Sequence, residues 1–114
     1  MALLRVGALG QEALAAAAEF HADVLPKVLA GLADKPKNLT LIFPPADHTH
    51  HAWRLAAVQS LAREFAPIRV NALASDSENA IAAAADYLER AEGVTGQMLD
   101  LDDTGAAEVL SSRA

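Results

Sequence analysis

The chain has 114 residues, 53% of them hydrophobic but only 4% aromatic, with no cysteine and a net charge of −6. One domain is the default at that length, and the hydrophobic content is too high for a disordered chain. The absence of cysteine excludes disulfides, thiolate metal sites and cysteine nucleophiles, and nine scattered Lys and Arg give no basic patch for nucleic acid.

The apolar start MALLRVGALGQEALAAAA is broken by Arg5, Gln11 and Glu12. That suits neither a signal-peptide core nor a membrane span, so a cytoplasmic protein with no membrane partner is expected. Residues 1–10 are read as an N-terminal strand, ALLRVGAL, and a turn at Gly7 and Gly10. Residues 11–34 carry Leu14, Ala17, Ala18, Val24, Leu25, Val28, Leu29 and Leu32 at helical spacing, and Pro26 inside that run predicts a kink. DKPKN (34–38) is a turn, LTLIF (39–43) a strand, and Pro44-Pro45 ends it.

A helix is expected from about His48 to Phe65 and a strand over 68–73, IRVNAL. Ser75 and Glu78 have the spacing of a capping box for the next helix, with Ile81, Ala84, Ala85 and Leu88 as its buried stripe and Gly93 as its stop. Residues 94–101, VTGQMLDL, are read as the last strand and 104–114 as a C-terminal tail. Apolar strands alternating with helices predict a single α/β domain over 1–114, with three to four parallel strands, right-handed crossovers and helices on both sheet faces. Much of the hydrophobic fraction is alanine, which buries little area, so the core is thin and a second subunit is expected to supplement it.

Several segments, in order, resemble the short-chain dehydrogenase/reductase family. ADVLPKVLAG (22–31) is similar to that family's long helix with a proline near its middle. LAREFAPIRVNALAS (61–75) resembles its Leu-Ala-x-Glu helix end leading into an Ile-Arg-Val-Asn strand. AIAAAADYLERAEG resembles the helix that follows, and VTGQMLDLDD (94–103) its last strand. The resemblance covers about residues 11–103 and implies the C-terminal half of a Rossmann-like three-layer fold.

The positions that would carry the family's chemistry depart from its pattern. The resemblance places the catalytic tyrosine at Asp47 and the assisting lysine at His51, and Phe43-Pro44-Pro45 stands where the serine belongs. The asparagine position falls near Ala13, Tyr87 lies in another helix, the expected Pro-Gly is Ser75-Asp76, and the final Gly-Gly is Asp103-Thr104. The Asn-Asn-Ala-Gly stretch is absent, and of a dinucleotide cradle there is only GALG at 7–10, which reads as a plain strand-to-helix turn. No catalytic residue, no cofactor-binding residue and no cofactor are assigned.

PPADHTHHAWR (44–54) gathers Asp47, His48 and His51, whose residue types suit a zinc, nickel or cobalt site. No HExxH pattern supports it, and a polar helix start with Asp47 near the positive end of the dipole is the favoured reading. The helix beyond it turns Leu55, Ala57, Val58, Leu61, Ala62 and Phe65 to one side. The other side carries Trp53, Ala56, Ser60 and Arg63, a mixture that reads as an interface more than a solvated face, the rival being Trp53 tucked under a loop of its own chain.

These readings lead to one expected function, a non-catalytic assembly subunit that associates through its long helices. In the resembling family, helices equivalent to 11–34 and 48–65 bundle with those of a neighbouring subunit. The partner is a second copy or a full-length dehydrogenase of the family. The alternatives are a small-ligand or metal-binding enzyme using Asp47, His48, His51 and Ser75, or a residual oxidoreductase completed by a second chain.

Overall fold

The computed structural model describes residues 2–101. The expected tail at 104–114 and the Asp103-Thr104 pair lie outside the described residues. Four strands, β1 (Ala2–Arg5), β2 (Asn38–Phe43), β3 (Arg69–Ala74) and β4 (Met98–Asp100), form one parallel sheet in the order β1-β2-β3-β4. Leu4, Leu41 and Ala72 stand side by side across the first three strands, and Ala72 continues to Met98. The expected α/β class and parallel pairing are both observed. β1 covers the edge of β2 that would otherwise be open, and Val6 N–H extends that pairing to the Ile42 carbonyl at 2.8 Å.

The long helix of 11–34 is built in three pieces: α1 (Ala13–Glu19), a π-helical turn (Phe20–Val24) and α2 (Leu25–Ala33). The Leu25 N–H bonds to the Phe20 carbonyl, five residues back. Pro26 thereby stands in the first turn of α2, where its missing N–H and fixed φ are tolerated. A π turn stands just before Pro26, where the sequence predicts a kink. It also sends Phe20 fully into the core.

Alternation along the strands divides the core in two. Leu39, Leu41, Phe43, Val70, Ala72 and Ala74 face α1, α2 and α3 (His51–Glu64), meeting Phe20, Val28, Leu32, Val58 and Leu61. Ile42 and Leu73 face the other way, onto Ile81, Ala84 and Leu88 of α4 (Glu78–Arg90), the predicted stripe. A strand order without reversal puts every helix on one face if all crossovers share a hand. Since α4 lies opposite α1–α3, the β3–α4–β4 crossover has the opposite hand to the first two, which corrects the expectation of uniformly right-handed connections.

Polar residues of β3 hold that unusual connection. The Arg69 guanidinium donates to the carbonyls of Leu88, Ala91 and Glu89 at 2.7, 2.8 and 3.1 Å, capping the negative end of α4. The buried Asn71 donates to the Val94 carbonyl and accepts from Gln97 N–H, both at 3.0 Å, which pins the return loop. Gly96 in that loop has φ +73°, a conformation in which a side chain is strained.

Two boundaries differ from expectation. The N-cap of α4 is Ser77, whose hydroxyl accepts from Ala80 N–H at 3.3 Å. Ser75 sits two residues earlier, accepting from Ser77 N–H at 3.0 Å, and Glu78 pairs with Arg5 of β1 at 2.8 Å instead of closing a capping box. The last strand is three residues, because Thr95 and Gly96 are spent on the turn that enters it. No helix among the described residues is long and apolar enough to cross a membrane.

Candidate functional site

Ligands of parallel α/β sheets gather at the carboxyl ends of the strands. At that end, where β2 and β4 stop, a cleft of about 290 Å³ is lined by Pro45, Asp47, His48, His51, Arg54 and Asp100, among others. A second hollow of 400 Å³ adjoins it toward Gly10 and Gln11 and shares Asp47, His50 and Arg54. A larger hollow, 820 Å³, opens at the opposite end of the sheet, beside Lys35, Lys37, Pro67 and Arg69. Arg69 is already committed to the carbonyls of α4 there. The smaller cleft is therefore the candidate site, on position and on chemistry.

Asp47 ends the extended stretch after Pro45 and caps a short 3₁₀ turn (His48–His50) that runs directly into α3. Its Oδ1 accepts from the Thr49 hydroxyl and from Thr49 N–H, the latter at 2.9 Å. These two bonds hold the Asp47 carboxyl below its usual value of 3.8. The expected polar helix start with Asp47 at its head is thus what the chain forms.

The histidines have separate fates. His50 is buried, with Nε2 2.9 Å from the Gln11 carbonyl and Nδ1 accepting from the Trp53 indole at 3.1 Å. An indole N–H only donates, so Nδ1 is unprotonated and Nε2–H donates to Gln11, which fixes a neutral tautomer. His51 is exposed and places Nδ1 3.1 Å from Asp100 Oδ2. The His48 ring makes no hydrogen bond among the described residues. No group of three His, Asp or Glu able to hold a metal occurs among the described residues.

The residue that sequence reasoning missed is Arg54, only 4% exposed. Its guanidinium carbon lies 4.5 Å from the Phe43 ring centre and 5.8 Å from that of Trp53. Nη1 donates to the Pro44 carbonyl at 3.1 Å, while Nε has no partner. Burial pushes its pKa down and the Asp100 carboxylate opposes the shift. The signal was present in the sequence: position 54 lies four residues before Val58 and seven before Leu61, on the core stripe of α3.

The expected interface residues are split. Trp53 is half-buried, with its ring 5.4 Å from Phe20 and 5.7 Å from Phe43. Ala56, Ser60 and Arg63 are exposed on the outer side of α3. Trp53, Ala56 and Ser60 line a groove of 470 Å³ between α3 and the long helix, facing Phe20, Leu25 and Leu29. Tyr87 lies on α4, across the sheet from the candidate cleft.

A family model described as short chain dehydrogenase-like protein matches residues 4–101, and the chain belongs to this SDR-like family. No curated protein and no solved structure matches it. Short-chain dehydrogenases work with a dinucleotide, and the turn after β1 does not fit its pyrophosphate. Gly10 N–H already donates to the Glu19 carboxylate at 2.9 Å, which sets negative charge where a phosphate would need a donor. A Cβ at Gly10 would stand 3.3 Å from that of Ala15, so this glycine is explained by close packing on α1.

Proposed function

We propose that this SDR-like protein is a non-catalytic assembly subunit that pairs with a second copy of itself through the groove between α3 and the long helix. The observation that carries the reading is the groove itself, with Trp53 in its wall and Leu29, 41% exposed, on its rim. Leu14, 88% exposed, extends the apolar surface along α1. A pair of helices meeting its symmetry mate across this groove would bury these residues on both sides.

The chemistry of the cleft supports the non-catalytic part. Proton transfer by the family's route needs a tyrosine hydroxyl and a lysine beside the substrate. Here Asp47 is spent on capping the Thr49 turn, and His51 on Asp100. Light scattering with gel filtration at micromolar concentration tests the assembly. A dimer is expected for the wild type and a monomer for Ala56→Glu, whose exposed position leaves the fold intact. A monomeric wild type overturns the reading.

A further inference from the structure

We propose that the cleft between the ends of β2 and β4 binds a small carboxylic acid that carries a hydroxyl group, with the buried guanidinium of Arg54 holding the carboxylate. This does not depend on the assembly reading. Arg54 is withdrawn from water yet hydrogen-bonds to no carboxylate among the described residues: one carbonyl accepts from it and two aromatic faces lie beside it. Asp100 is near enough to influence it, but its Oδ2 is bonded to His51 and neither oxygen bonds to Arg54. The planar donor fork of an arginine matches a carboxylate, and here the one hydrogen bond drawn from it is that of Nη1 to Pro44.

The surroundings set the ligand class. A volume of about 290 Å³ is at the small end for ligand pockets, so the occupant is a short acid and not a nucleotide. Asp47 and Asp100 both line the cleft, and two carboxylates repel a phosphate dianion more than a monoanion. Asp100, at the exposed mouth beside His51, is placed to accept from a hydroxyl on the ligand. Pro45, Ala74 and Leu101 supply the apolar wall for its carbon chain.

The test is a titration of the wild-type protein with glycolate, acetate and inorganic phosphate, followed by ¹H–¹⁵N spectra of backbone amides and arginine Nε–H groups. Glycolate is expected to give saturable, millimolar shifts of the Arg54 Nε–H and of the amides around His51 and Asp100. Acetate, which lacks the hydroxyl, is expected to bind several-fold more weakly, and phosphate without saturation. Arg54→Lys, which keeps charge but loses the fork, should weaken glycolate about tenfold. Asp100→Asn, at an exposed site, should shrink the preference for glycolate over acetate. Absence of saturable shifts with both acids, or phosphate binding as tightly as glycolate, overturns the proposal. If Arg54→Lys does not fold, the wild-type and Asp100→Asn titrations decide it.

Discussion

Arg54 carries more consequence than its single letter suggests. Replacing a buried charge by an apolar chain of similar length is often neutral or stabilising. Arg54→Met is therefore expected to leave the urea midpoint unchanged or raise it, which would separate a residue kept for binding from one kept for stability. Phe43 behaves in the opposite way. It is fully buried and touches Phe20, Trp53 and Arg54, so Phe43→Ala should cost about 3–5 kcal/mol by chemical denaturation. Asp47 gives a prediction about pH. Its folded pKa is lowered by Thr49, so its contribution is present above the ordinary value of 3.8 and lost as pH falls through the folded value. Thr49→Val should move the Asp47 carboxyl back up toward 3.8 in an NMR titration, and the 3₁₀ turn should then loosen at a higher pH than in the wild type.

At the scale of elements, most of the architecture was legible and the site was not. LTLIF is a short apolar run closed by two prolines and 78–90 carries helical spacing, and both patterns report burial directly. The π turn before Pro26 was not legible, since the sequence marks the cost of the proline and not the local form around it. The cap of α4 slipped by two residues because Ser75 and Ser77 offer the same chemistry, and the choice between them depends on where β3 releases the chain. Asp47 as a helix start was readable from local order. The division among His48, His50 and His51 was not, because their partners Gln11, Trp53 and Asp100 meet them through tertiary folding. Arg69 yields a firm element-level prediction. Arg69→Ala removes three bonds to the end of α4 and should cost about 1.5–3 kcal/mol, with faster amide exchange over the last turn of that helix as the readout.

For the molecule as a whole, the family resemblance and the physical reading are strongest in the same places. IRVNALA is both the segment that resembles short-chain dehydrogenases and the strand whose Arg69 and Asn71 hold a crossover of unusual hand. Side chains that fix such a connection cannot be exchanged freely without loosening β4.

The wall formed by His50, Trp53 and Arg54 separates two surfaces. One side of it is the candidate cleft, which Arg54 lines, and the other is the helix groove, which Trp53 lines. The guanidinium lies 5.8 Å from the indole ring centre, so the residue that lines the cleft and the residue that lines the groove are in contact. Thermodynamic linkage then works in both directions. If the acid tightens pairing of two copies by some factor, pairing must tighten the acid by the same factor, and dilution alone would release it.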